Sequence, residues 1–502
     1  MKKLNKNIKT GIATGLVLLA SSCSGFLDIN KDPNNLADSQ VTSTYLLPTT
    51  QVGTAFLVGN HLNLLQTCWM QHSSGTGTQT QQYDIFNVFP ADGEVNTVWT
   101  LAYAQVLPDL NAIIRKSTAV EDFQHVGMAQ VLKVYIFSLL TDAFGDIPFK
   151  EASLGAFVKP KYDTQEAIYA QLLLDIDGAI ANLAKSNKLI PAASGDIIFA
   201  GNVTNWRRVA KSIKLKLLVQ QRNKKQDVAA INALIAENDF IASNNANFNV
   251  GFGFAANAFH PLYQYNYISR PLDLGISTRF LDSMRVNNDP RIASYFTYTA
   301  FNVSTNTPSY VAIDNGTVAQ GPSTRSRWGR YLTNVVQAAP SAATPAPTAN
   351  TPVRMITKSM VNFWLAEAAL TMGVGGAGAD VTYFRQALQD QMDDVRTFCA
   401  ITDPAPFTAY INARVAAYSA LTNTEAKLNL LIREKWISLA GNAFESYNDF
   451  RRTGYPRLAL PQNPTLAQFP SSYPYPQDEI NNNSDNVPAN AQNLLDKVWW
   501  AK

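Results

Sequence analysis

The residues able to do chemistry in this chain are not gathered into a catalytic motif. His61, His72, His125 and His260 stand far apart and no H-E-x-x-H is present, so no zinc ligand set is visible. A phosphate loop ending in Gly-Lys-Ser/Thr is missing, and so is a Gly-x-Ser-x-Gly nucleophile elbow. Gly373-Val374-Gly375-Gly376-Ala377-Gly378 spells G-x-G-x-x-G, but it follows the apolar-periodic stretch Val361 to Met372 instead of a strand. A helix stop and a hairpin turn therefore explain it better than a dinucleotide site. Asp and Glu are plentiful, and two could face each other as glycosidase carboxylates do, yet the sequence singles out no pair. The block Arg433-Glu434-Lys435-Trp436 with Asp449-Phe450-Arg451-Arg452-Thr453-Gly454 mixes charges and aromatics, and a buried ion-pair network fixing helix packing is favoured over catalysis. The expectation is no catalytic residue, no metal and no cofactor.

Binding chemistry is better represented. A saccharide site needs flat aromatic faces for the apolar sides of the rings and amides or charges for the hydroxyls. Two stretches carry that mixture. The first runs from Gln71 to Trp99 and offers Tyr83, Asn96 and Trp99 among Gln and Thr; the second offers Tyr265, Tyr267, Arg270, Trp328 and Tyr331. These eight are the expected ligand contacts. The competing role for any one ring is to pack the loops onto the rest of the fold. If Trp99 and Trp328 are contacts, replacing both by Ala weakens binding without unfolding the protein.

Most segments that would position these residues read as helices. Met128, Val131, Leu132, Tyr135, Ile136 and Leu139 recur at three- and four-residue steps, and the pattern stops at Gly145-Asp146-Ile147-Pro148. Similar patterns cover 98–116, 164–184, 205–223, 357–372, 380–398 and 424–439, with Asp163 and Asn205 as expected caps. Paired amphipathic helices on short turns suggest degenerate tetratricopeptide-like hairpins, a mainly α fold. Residues 244–352 break the pattern with Asn, Gly, Ser, Thr, Pro and Tyr, and read as a loop-rich insertion whose 338–352 run is mobile.

The start of the chain reads as an address. Lys2, Lys3, Lys6 and Lys9 precede a short apolar run from Gly11 to Ala20, which leads to Ser21-Ser22-Cys23. That run is shorter than the roughly 20 residues a membrane-spanning helix needs. Residues 1–22 are expected to be a lipoprotein signal, and Cys23 the acylated first residue of the mature protein; plain secretion is the alternative. Acyl chains would hold the protein to a membrane at about 0.8 kcal/mol per buried methylene. Residues 23–43 form the spacer and 44–502 the folded part, with no other segment expected to cross a membrane. The formal charge of +3 includes the four signal lysines. The mature chain is thus near neutral and has no field suited to nucleic acid. Cys68 and Cys399 are favoured as isolated buried thiols over a disulfide.

Several segments taken together resemble the SusD/RagB family of nutrient-binding lipoproteins of Bacteroidota, in particular its second SusD-like subgroup. These are Phe26-Leu27-Asp28 with Asp32-Pro33-Asn34, Ala143 to Phe149, Trp206 to Arg222, and Asn288-Asp289-Pro290-Arg291. Ala366-Glu367-Ala368-Ala369, Arg433-Glu434, Asp449 to Gly454 and Tyr475 to Glu479 complete the series. The resemblance implies tetratricopeptide-like hairpins supporting a loop-rich ligand face. It also implies a SusC-like TonB-dependent outer-membrane barrel as partner, with the lipoprotein as its lid at the cell surface. The expected function is capture of an oligosaccharide for import; a peptide-binding lid, a surface glycan hydrolase and an adhesin are the alternatives.

Overall fold

A computed structural model describes residues 41–271, 273–299, 309–317, 324–336 and 350–502. The signal, Cys23 and most of the spacer lie outside the described residues, as does 338–349 of the run expected to be mobile. Thr351 and Pro352, assigned to that run, instead belong to a strand.

The fold is mainly α. Its first continuous helical rod starts as α1 (Ser43–Phe56), widens into a π turn over Leu57–Leu62 and ends as α2 (Asn63–Trp69). A second rod has the same construction: α3 (Gly93–Thr100), a π turn over Leu101–Val106, then α4 (Leu107–Ala119). Asp92 caps α3 by accepting the Glu94 N–H. The two rods lie side by side, α1 against α4 and the second π turn. Gly53 makes the approach close, since a Cβ there would sit 2.7 Å from the Val106 side chain.

Antiparallel hairpins follow. α5 (Phe123–Phe144) packs between α4 and α6 (Gln165–Leu183), and α7 (Val203–Gln220) lies on α6. Thr164, one residue after the expected Asp163, caps α6 by accepting the Ala167 N–H at 3.4 Å. Asp163 is occupied by Lys150 at 3.3 Å. Asn202, not Asn205, caps α7 and accepts the Asn205 N–H at 3.1 Å. In the C-terminal half, α8 (Lys358–Met372) and α9 (Ala379–Phe398) form a hairpin. Gly373 and Gly378 bound its turn with left-handed φ of 69° and 75°, which settles that motif as a helix stop. Then come α10 (Ala405–Ala420), α11 (Thr424–Ser438) and α12 (Ala443–Thr453), the last returning to α2.

α5 is long and apolar enough to cross a bilayer by length and composition, but 89% of its apolar window is buried within the protein. It is the central core helix, flanked on every side because neighbours pack on it from both hairpins.

Among the described residues the insertion carries short helical turns, one helix of eight residues over Thr278–Arg285, and two strand pairings. Strand β1 (Ser73–Gly75) pairs with β3 (Leu274–Ile276), while β2 (Phe248–Phe252) pairs antiparallel with β4 (Thr351–Ile356) and closes the base of the insertion. A third pair, Ile147–Pro148 with Tyr162–Asp163, lies outside the insertion, between α5 and α6.

Charged residues inside the helical body form the network favoured from sequence. Glu367 holds Arg452 and, at 2.7 Å, Arg222; Asp449 holds Lys435 at 2.8 Å and Arg452 at 2.6 Å. Asp289 and Arg291 pair at 2.6 Å, and Glu434 takes Arg414 at 2.7 Å. Most of these side chains are fully enclosed, so each depends on its partners to offset desolvation. Cys68 and Cys399 are buried and unbonded to each other.

Candidate functional site

Two clefts open on the face where the rods meet the insertion, and they share Phe56. The first, about 500 Å³, lies between α1 and the α3–α4 rod, with Gly53 and Phe56 on one side and Asn96, Leu101, Gln105 and Asp109 on the other. The second, about 250 Å³, is enclosed by Phe56 and Asn60 against Phe259, Gln264, Tyr265 and Ser269 of the insertion. The first falls within the size range of ligand pockets.

All three π-helical turns among the described residues line these clefts. Leu57–Leu62 contributes Asn60 to the second and His61 to the first; Leu101–Val106 gives Leu101, Gln105 and Val106 to the first; Gln264–Ser269 gives Gln264, Tyr265 and Ser269 to the second. A π turn adds a residue per turn at a cost in hydrogen-bond geometry, and such turns concentrate at functional sites. Here each swings polar side chains out of an otherwise apolar helical face.

Polar groups tie the walls together. His61 Nδ1 lies 2.7 Å from Glu94 Oε2 across the first cleft. Glu94 follows the Asp92 cap, which accepts the Tyr83 hydroxyl at 2.7 Å, and Gln79 donates to that hydroxyl at 2.7 Å. Burial raises the Asp92 pKa, and burial with the adjacent Asp92 charge raises that of Tyr83, so the phenol remains a donor. Asn96 donates its amide to the Asp92 carbonyl at 3.1 Å, while its own side-chain carbonyl is buried with no partner among the described residues. Phe56 itself is half-buried and steadied edge-on by Phe252 at 5.3 Å.

The eight residues singled out in the sequence separate sharply. Asn96 lines the first cleft and Tyr265 the second, where its hydroxyl meets Asp273 at 3.1 Å. Arg270 is exposed just beyond Ser269 at the rim. The other five are buried and held in packing contacts. Trp328 is 1% exposed, set against Phe280 and Phe296 with its indole N–H on Ser73 Oγ at 3.1 Å. Tyr331 stacks on Tyr295 and donates to Asp394; Tyr267 stacks on Tyr263 and donates to the Trp328 carbonyl at 2.6 Å. Trp99 packs on Tyr103 and Phe144, and Tyr83 is sealed beneath α3.

Phe56, His61 and Asp109, which line the first cleft, were not foreseen from the sequence. For Phe56 and His61 a signal was available, since Gly59-Asn60-His61 interrupts an apolar helical run.

Solved structures share this fold. A chitin-binding protein superposes with a TM-score of 0.74 at 22% identity, covering 91% of this chain and 100% of that one. A SusD/RagB family protein from Bacteroides thetaiotaomicron gives 0.75 at 23% identity, over 92% and 99% of the two chains. A chitin-binding SusD homolog from Flavobacterium johnsoniae gives 0.70 at 20% identity, over 90% and 98%. A search of curated proteins finds no match. The second SusD-like family, described as starch-binding associating with outer membrane, matches residues 33–476, and the chain belongs to that family.

Proposed function

We propose that this protein is a surface-exposed lipoprotein, anchored through Cys23, that holds an oligosaccharide in the paired cleft and passes it to a SusC-like TonB-dependent barrel. The observation that carries the reading is the convergence of three π turns on two clefts that share the half-exposed ring of Phe56. A ring flanked by amides and hydroxyls suits sugar faces and sugar hydroxyls respectively. The family's description as starch-binding and outer-membrane-associated supports it, as do the two relatives described as chitin-binding. In this reading Asn96, Tyr265 and Arg270 touch the ligand. Tyr83, Trp99, Tyr267, Trp328 and Tyr331 hold the walls in place. The protein binds without turnover and needs no cofactor.

The test is a mild-detergent pull-down from native outer membranes with tagged protein and Cys23 intact, followed by saccharide titration of the purified pair. Near-equal recovery of a TonB-dependent barrel and binding without hydrolysis are expected. Recovery of no barrel after crosslinking, or release of shortened sugars, would overturn the reading.

A further inference from the structure

Asp109 is the one carboxylate that lines the first cleft, and its placement depends on the π turn. Thr97, Leu101, Gln105 and Asp109 follow at four-residue steps, and all four line the cleft. In an ideal α-helix each such step overrotates by about 40°, so three steps would carry the last side chain about 120° off the row. The wider turn over Leu101–Val106 takes up part of that rotation and keeps Asp109 on the cleft face.

The carboxylate arrives there without a partner. It makes no hydrogen bond or ion pair to any described residue, and partial burial raises its pKa. No Lys or Arg lines the cleft. Lys133, the cation that reaches α4 from α5, gives its ammonium to Asn111 at 2.8 Å. The other titratable group on the wall, His61, is held by Glu94. A partly desolvated carboxylate without a donor is costly, and a charged donor relieves that cost better than a neutral one. Around it stand hydroxyl and amide groups, including Thr100 and the unpartnered carbonyl of Asn96.

Resting on the saccharide-binding reading, we propose that this cleft prefers amine-bearing sugars and seats a primary ammonium of the ligand on Asp109. A glucosamine-type oligomer offers that ammonium beside hydroxyls on the same ring, with an apolar ring face for Phe56. Uronates and sulfated sugars are repelled by Asp109 and find no cation in the wall. An extended peptide is disfavoured because both walls are helical, with backbone groups already bonded, so no strand edge is available to pair with it.

Calorimetric titration with three oligomers of equal length tests this: glucosamine, N-acetylglucosamine and a uronate. The glucosamine oligomer should bind at least about tenfold tighter than its N-acetylated counterpart, the scale of one charge-assisted hydrogen bond. Asp109→Asn should collapse that preference to about twofold or less, and the uronate should not bind. Equal affinity of the two oligomers for the wild type, or a preference that survives Asp109→Asn, overturns the proposal. Tighter binding of a lysine-containing peptide overturns the sugar assignment. N-acetylglucosamine binding that responds to Phe56→Ala without amine preference refutes the amine claim alone, whereas no saccharide binding at all refutes the saccharide function with it.

Discussion

His61 and Glu94 meet at 2.7 Å, and this contact joins the π turn of one rod to the first turn of α3 on the other. Both side chains are mostly covered, at 17% and 15% exposure, so the pair is more than a solvated surface contact. It ties the rod that carries Phe56 and His61 to the rod that carries Asn96 and Asp109, the two walls of the first cleft. Glu94→Ala should therefore lower affinity for a chito-oligosaccharide by about threefold to tenfold, with a melting-temperature change of only a few degrees. Titration calorimetry and thermal unfolding on one preparation check this; a large loss of stability with unchanged affinity would make the pair purely structural.

Phe56 forms part of both clefts. Phe56→Ala should weaken binding of long oligomers more than of short ones, because it removes the ring where two subsites meet. A length series of one oligosaccharide, titrated against both proteins, reads the effect. An equal loss for every length would mean that the ligand occupies one cleft only.

Trp328 lies in the core between Phe280 and Phe296. Trp328→Ala should cost about 3–5 kcal/mol of stability. Denaturant titration followed by circular dichroism checks it, and full stability with lost binding would restore the ring as a ligand platform.

Glu367 faces both Arg452 and Arg222 inside the helical body. Glu367→Gln leaves two cations short of a buried counter-charge and should cost about 3–5 kcal/mol. Folded protein that remains should bind oligosaccharide as before, which separates this network from the cleft.

Asp84 is enclosed beneath the insertion and accepts from Ser74, Asn315 and the Gly316 N–H, yet burial outweighs these donors and raises its pKa to about 7. The folded state thus binds its proton more tightly than the unfolded chain does. The stability this group contributes is fully present below pH about 4 and is lost as pH rises to about 7. Unfolding midpoints measured across that window should fall with rising pH, and Asp84→Asn should flatten the slope. An unaltered slope would assign it to another group.

Much of the scaffold was legible because its signals are local. The three- and four-residue recurrence from Met128 to Leu139 lies within α5, and Gly373 marks the end of α8 as its position foretells. The shared motif residues Asp289, Arg291, Glu367, Glu434, Asp449 and Arg452 turned out to be the buried ionic framework, so the resemblance located the fold more surely than the site. Ligand contacts were harder. A Trp or Tyr in a polar stretch looks the same whether it faces solvent or core, and only packing separates Trp328 from Phe56. Asp109 was hidden for a different reason: its facing depends on helix pitch, and periodicity at 3.6 residues does not register a π turn.

Strands β2 and β4 have a consequence for how such a binding face can diversify. Because Phe248–Phe252 and Thr351–Ile356 run antiparallel and in contact, the insertion leaves and rejoins the helical body at neighbouring points. Its span can grow, shrink or be exchanged between chains while the order and spacing of the helices stay as they are. A graft would have to match the seam with Ser73–Gly75, the bonds of Asn315 and Gly316 to Asp84, the Tyr331 bond to Asp394 and the Asp289–Arg291 pair beside Glu434. The loops between those ties are the part of the binding face that can be rewritten while the frame that carries it is kept.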